Sequence, residues 1–84
     1  MFMKMEFYFN EESCKEYGTS EEACLATVRK RFEDHNINKT IAETSPGVFE
    51  GEEKDFGTFA TMLGFEKCEW FQETIDEWYW TMMD

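Results

Sequence analysis

The chain has 84 residues, 19 of them acidic and 8 basic, which gives a formal net charge of −11 at pH 7. This charge disfavours direct binding to nucleic acid phosphates or to anionic lipid. No segment approaches the roughly 20 apolar residues of a membrane span. The length predicts one domain over residues 1–84, and three cysteines without a CxxC pair or an apolar leader predict a cytoplasmic protein.

The first half of the chain predicts a strand followed by a helix. Residues 2–9 alternate, with Met3, Met5, Phe7 and Phe9 on one side, which is typical of a strand. The polar segment Asn10 to Gly18 is expected to be a loop or a short turn. Thr19 and Glu22 have the spacing of a capping box, and the helix they open is expected to end near Asp34. Its predicted core face is formed by Cys24, Leu25, Val28 and Phe32.

The second half predicts a hairpin and further helices. Residues 37–44 and 48–50 are expected to be strands joined by a turn at Ser45-Pro46-Gly47. Residues 51–55 are expected to form an acidic loop, 56–63 a short helix ended by Gly64, and 66–83 a long helix. The predicted fold is a small α+β domain in the order β-α-β-β-α, with an antiparallel-type sheet and helices packed on one face.

The predicted C-terminal helix carries a stripe of like charge. Opposite its apolar face lie five carboxylates with no basic residue among them, although a solvated helix face normally mixes charges. Residues 43–84 hold 11 acids and 2 bases, so the negative charge is concentrated in this half. The predicted partner-binding residues are Glu66, Glu69, Glu73, Asp76 and Glu77, the flanking Trp70 and Trp80, and the loop acids Glu50, Glu52, Glu53 and Asp55.

The sequence predicts neither an enzyme nor a metal or cofactor site. His35, the single histidine, is expected to be a half-buried or helix-terminal residue, because no marked nucleophile accompanies it. The cysteines do not have zinc-ligand spacing, and the acidic loop lacks the pattern of a calcium-binding EF-hand. The basic run Arg29-Lys30-Arg31 points in three directions on a helix, which disfavours a nucleic-acid site.

Two binding functions fit this composition. A rigid line of carboxylates can occupy the Arg/Lys groove of a nuclease or other nucleic-acid-binding protein, so the chain is expected to be a nucleic-acid-mimicking inhibitor. In size and acidity it is similar to phage-encoded inhibitors of CRISPR and restriction nucleases, although no motif is shared. The alternative is an antitoxin-type, immunity-type or adaptor protein that binds a basic partner, and exposed tryptophans leave a homodimer open.

Overall fold

The computed structural model describes residues 2–52 and 57–83. Within them the chain is a small α+β domain with a four-stranded antiparallel sheet and four helices, which confirms the predicted fold class. The strand order across the sheet is β2-β3-β1-β4, so β2 and β4 are its edges. In chain order the elements are β1 (Phe2–Phe9), α1 (Glu11–Tyr17), α2 (Glu21–Asp34), a 3₁₀ turn (Ile37–Lys39), β2 (Ile41–Ser45), β3 (Val48–Glu52), α3 (Gly57–Glu66), α4 (Glu69–Thr74) and β4 (Ile75–Met83).

The first strand lies in the middle of the sheet and supplies the centre of the core. Met3, Met5 and Phe7 are buried, as their alternation predicts. The centroid of the Phe7 ring lies within 6.4 Å of the centroids of four other phenylalanine rings, which come from α2, β3, α3 and α4. They belong to Phe32, Phe49, Phe65 and Phe71. A small domain thus fills its core with aromatic rings, which bury a large area per residue.

The second helix ends at Asp34 as the sequence predicts, but its N-terminal cap is one residue later than predicted. The Ser20 hydroxyl, rather than that of Thr19, accepts a hydrogen bond from the Ala23 amide at 3.1 Å. Beyond Asp34 the backbone turns at Asn36, which adopts a left-handed conformation with φ 59°. Asparagine tolerates that conformation better than most residues, so it ends the helical path there. The predicted core residues Cys24, Val28 and Phe32 are buried, and Leu25 packs on them partly exposed.

The prediction of a loop or a short turn from Asn10 to Gly18 is wrong, because this segment contains the seven-residue helix α1. The Asn10 side chain accepts a hydrogen bond from the Ser13 amide at 2.9 Å, and Gly18 ends the helix with φ 86°. Cys14 is the one buried residue of α1, and its sulfur lies 3.8 Å from that of Cys24 in α2. With so narrow an apolar face, the helix leaves little periodic signal in the sequence.

The predicted hairpin is present with shifted bounds. The strand β2 begins at Ile41 rather than Ile37, because residues 37–39 form the 3₁₀ turn. The turn at Pro46 and Gly47 is confirmed, and Gly47 has φ 80°, which favours glycine. The strand β3 continues to Glu52, so Gly51 and Glu52 are not loop residues. Similarly, α3 runs through Gly64 to Glu66.

The prediction of one helix over residues 66–83 is also wrong. Glu66 is the last residue of α3, and a separate short helix, α4, spans Glu69–Thr74. From Ile75, with φ −78° and ψ 135°, the chain is extended and pairs with β1. The segment after Ile75 is rich in Trp, Tyr and Thr, which favour strands. Pairing with β1 satisfies its backbone groups, and this long-range partner decides the conformation.

Candidate binding surface

The two faces of the sheet have different surroundings. Buried side chains of α2, α3 and α4 belong to one cluster with Met3, Met5 and Phe7, so these helices pack on the side to which the odd-numbered residues of β1 point. The opposite side, here called the open face, carries the even-numbered residues of β1 and their cross-strand partners. Its described side chains are Phe2, Lys4, Glu6 and Tyr8 of β1, Glu77, Tyr79 and Thr81 of β4, Val48, Glu50 and Glu52 of β3, and Ala42 and Thr44 of β2.

Tyrosine and glutamate alternate across β1 and β4 on the open face. Glu6 lies opposite Tyr79, and Tyr8 lies opposite Glu77. Each tyrosine hydroxyl donates a 2.9 Å hydrogen bond along its own strand, Tyr8 to Glu6 and Tyr79 to Glu77. The two rings meet edge to face with their centroids 6.1 Å apart, and 44% and 46% of the two residues' surfaces stay exposed. The four side chains therefore form an ordered, accessible patch.

The neighbouring carboxylates raise the pKa of both phenols. The hydrogen bond to Glu6 raises the pKa of Tyr8 above its ordinary 10.0, with smaller contributions from desolvation and neighbouring charges. The hydrogen bond to Glu77 raises the pKa of Tyr79 in the same way. Each tyrosine thus remains a donor to its carboxylate, and the carboxylate keeps further lone pairs for a cationic partner.

The remaining charge on the open face is also mostly acidic. Glu50 lies opposite Lys4 of β1 and Ala42 of β2, and it accepts a hydrogen bond from the Thr44 hydroxyl. Glu52, two residues further along β3, lies opposite Phe2. Among the described residues of the open face there are thus four carboxylates and one ammonium group, that of Lys4.

The described ion pairs lie on the helices and on β2. Arg29 donates two hydrogen bonds to Glu43, at 2.7 and 3.0 Å, and one to Glu22 at 3.1 Å. Lys30 pairs with Asp34, and Lys15 pairs with Glu11. Within residues 2–52 and 57–83, none of these ion pairs involves Lys4, Glu6, Glu50 or Glu77 of the open face. The negative charge of that face is therefore not compensated by those pairs.

The structure disperses the residues that the sequence assigned to one helical stripe. Glu66, Glu69 and Glu73 are exposed on α3 and α4, on the helical side of the sheet, whereas Glu77 lies on the open face. Asp76 is exposed where the register of β1 and β4 shifts. Of the predicted loop acids, Glu50 and Glu52 belong to β3 and the open face, and Glu53 and Asp55 lie outside the described residues.

The two predicted tryptophans do not project from an acidic stripe. Trp70 is half-buried, stacked on Phe9 with ring centroids 6.2 Å apart and edge-on to Phe65 at 6.1 Å. Trp80 lies opposite Met5 on the helical side of the sheet and packs on the core while partly exposed. Their geometry is therefore that of side chains at the margin of the core.

Sequence reasoning missed Glu6, Tyr8 and Tyr79. The alternation of residues 2–9 already assigned Glu6 and Tyr8 to the side of β1 away from the core. The same alternation recurs at 77–82, where Glu77, Tyr79 and Thr81 interleave with apolar residues. That period of two was the signal for β4 and for the open face.

Two further kinds of feature are absent from the described part of the chain. No helix there combines the length and apolar character that crossing a membrane requires. Over the same residues, no three His, Cys, Asp or Glu side chains are grouped so as to hold a metal ion.

Comparison with known proteins gives no relative to which the surface can be matched. No protein-family model, no curated protein and no solved structure matches this chain.

Proposed function

We propose that this protein is a non-catalytic binding protein whose open face docks on a basic protein surface. The proposed partner surface is the nucleic-acid groove of a DNA- or RNA-binding enzyme or complex, which the protein inhibits by occupying it. The observation that supports the proposal is the side of the sheet left uncovered by the helices, where two exposed tyrosines alternate with carboxylates.

The strand ladder holds these carboxylates at spacings that suit a basic groove. Residues directly opposite on antiparallel strands lie about 5 Å apart, and residues two apart on one strand lie about 7 Å apart. Glu6, Glu50 and Glu77 are placed by the hydrogen-bonded backbones of three neighbouring strands. Because the array is already ordered, binding loses little conformational entropy, which favours affinity.

The tyrosines add a second kind of contact for cationic side chains. A guanidinium group can stack on an aromatic face while its N–H groups bind a nearby carboxylate. Tyr8 and Tyr79 each lie beside a carboxylate on the same strand and opposite one on the neighbouring strand. This arrangement suits arginine, which is the residue that such grooves use most for binding phosphate groups.

The same surface also suits an antitoxin-type, immunity-type or adaptor function. In that case the basic partner surface is not one that holds nucleic acid. The two functions differ in one measurable respect, because only a nucleic-acid mimic competes with DNA or RNA for its partner. Competition therefore decides between them, and salt dependence alone does not.

Two triple variants with the same charge change test where the partner binds. One replaces Glu6, Glu50 and Glu77 of the open face by Gln, and the control replaces Glu66, Glu69 and Glu73 of α3 and α4 by Gln. Glutamine keeps an oxygen that can accept the tyrosine hydroxyl, so both variants are expected to fold. Each protein is immobilised, proteins from a cell lysate are captured at low salt, and the affinity of the retained partner is measured.

The open-face variant should lose affinity by about tenfold or more, from three exposed charge contacts of about 0.5 kcal/mol each. The control variant should bind as the wild type does, and duplex DNA or RNA should displace the partner from the wild-type protein. If only the control variant loses affinity, the contact lies on the helical side, where the sequence placed it. If nucleic acid and the protein bind the partner together, mimicry is excluded.

A further inference from the structure

The strand β4 has a long edge with which no other strand of the described structure pairs. It has nine residues, Ile75–Met83, and is therefore about 30 Å long. Among residues 2–52 and 57–83, β1 is the one strand that pairs with it, so the backbone groups on its other side face no strand. From Glu77 to Met83 the pairing with β1 runs in unbroken register, so this part of the edge is regular.

The two edges of the sheet differ in how they are protected. The other edge, β2, has only five residues, its register shifts between Glu43 and Ser45, and Pro46 follows it. Short length, irregular register and proline are the features by which proteins prevent pairing at a sheet edge. The strand β4 contains no proline, lysine or arginine, and its residues from Trp78 onward are uncharged. From Trp78 to Met83, the edge therefore lacks the features that protect β2.

Apolar side chains along β4 also remain incompletely buried. Trp78 and Trp80 are half-buried, and 48% of the surface of Met82 is exposed. A neighbour on this edge would remove further aromatic and thioether surface from water, at about 25 cal/mol per Å². Such aromatic and methionine residues are enriched at protein interfaces.

We propose that β4 pairs antiparallel with β4 of a second copy of this chain. The pairing is centred on Tyr79, so that all nine residues of each strand take part. It joins the two sheets into one of eight strands, with both helical layers on the same side and the two open faces continuous. The inference does not depend on the proposed function, because it concerns the backbone edge and not the charged side chains of the open face.

The charge pattern of the strand favours a second copy as the occupant in this orientation. Antiparallel pairing centred on Tyr79 places Asp76 opposite Met82 and Glu77 opposite Thr81, so no carboxylate faces another. Parallel pairing in register would place each carboxylate on its own copy, and like charges directly opposite are destabilising. The same antiparallel register places Trp78 opposite Trp80, and cross-strand aromatic pairs are stabilising.

The net charge of the chain gives the dimer a distinctive salt dependence. Each copy carries −11, so association works against the repulsion of two like-charged bodies. Salt screens that repulsion, with a Debye length of about 10 Å at 0.1 M and about 3 Å at 1 M. Dimerisation should therefore strengthen as salt is added, whereas docking on a basic partner should weaken.

The proposal can be tested on the wild-type chain alone. Its mass in solution is measured by light scattering after size-exclusion chromatography, over a range of protein and salt concentrations. The expected result is a mass that rises toward twice the monomer mass with protein concentration and rises further with salt. A mass that stays monomeric at every concentration and salt would overturn the proposal. A dimer that dissociates as salt is added would also overturn it, because attraction between charges would then hold the copies together.

Cysteine substitution on the exposed Tyr79 tests the register. In the proposed dimer the two introduced thiols lie directly opposite, about 4.5–5.5 Å apart between Cα atoms, which a disulfide can span. A mild oxidant should therefore link most of the Tyr79→Cys protein into a dimer on a non-reducing gel. The control is Thr44→Cys, exposed on β2 at the other edge. Equal linking of both variants, or linking of the control alone, would refute pairing through β4.

Discussion

A methyl group at residue 51 tests how closely the strands β2 and β3 approach each other. Gly51 lies in β3, opposite Ile41 of β2 on one side and Met3 of β1 on the other. A Cβ atom there would lie 2.0 Å from the carbonyl oxygen of Thr40 and 2.9 Å from the Cα atom of Ile41. Both are backbone atoms, which cannot rotate away as a side chain can. The substitution Gly51→Ala must therefore push the strands apart.

The distances set the size of the effect. Ordinary contact begins at 3.4 Å, so the Thr40 oxygen must move by more than 1 Å, at the point where β2 pairs with β3. Overpacking in a filled site costs about 1–3 kcal/mol and occasionally more, and a backbone clash places this site near 3 kcal/mol. For a domain of this size, 1 kcal/mol corresponds to about 4–8 °C in melting temperature, so a fall of about 12–24 °C is expected.

Thermal melting followed by circular dichroism, with urea unfolding in parallel, measures this change. The matched control is Gly64→Ala in α3, where the nearest described neighbour of a Cβ atom would be the Arg31 guanidinium at 3.9 Å. Alanine favours the helix over glycine by about 1 kcal/mol, so the control should melt higher than the wild type. If Gly51→Ala melts within about 4 °C of the wild type, β2 and β3 do not approach as closely as described.

Three further predictions concern stability and thiol chemistry. The hydrogen bonds from Arg29 lower the pKa of Glu43 below its ordinary 4.5. The stability that this pair adds is therefore fully present at a pH above 4.5 and is lost as the pH falls through the lowered pKa. Glu43→Gln should therefore reduce the loss of stability on acidification, which urea unfolding at several pH values measures. If the variant loses as much stability as the wild type when the pH is lowered, the prediction is contradicted. Phe71, 1% exposed within the ring cluster, should cost about 3–5 kcal/mol when replaced by alanine, in the same assay. Burial raises the pKa of the Cys14 thiol to about 11, so a thiol reagent should modify the half-buried Cys68 first, and Cys14 only when the chain unfolds.

Local sequence signals were sufficient to predict the elements whose boundaries are marked by capping or turn residues and whose apolar residues recur with a clear period. The alternation at Met3, Met5 and Phe7 predicted β1 and its core face, and the turn at Pro46 and Gly47 predicted the hairpin. The helix α1 was missed because Cys14 is its one buried residue, which leaves no visible stripe. Its local signs were the Asn10 cap, the acidic first turn, Lys15 in the last turn and Gly18.

The C-terminal segment satisfies two periodicities at once, and this is why its prediction failed. Trp78, Tyr79 and Met82 fit one face of a helix, whereas Trp78, Trp80 and Met82 fit one face of a strand. The choice is made by β1, which is distant in sequence and offers a full-length partner. The candidate site depends on the same pairing, because Tyr8 comes opposite Glu77 only when that register is formed.

The pairing of β1 with β4 also determines when the domain can complete its structure. Phe2 lies opposite Met83, so this contact closes a loop of nearly the whole chain. Contacts between residues so far apart in sequence form late and slow folding, since the entropy of loop closure is lost before they form. During synthesis the side of β1 that receives β4 can begin to pair only when residues from Ile75 onward have left the ribosome. Any nascent chain that stops before Ile75 therefore exposes the central strand of its own sheet.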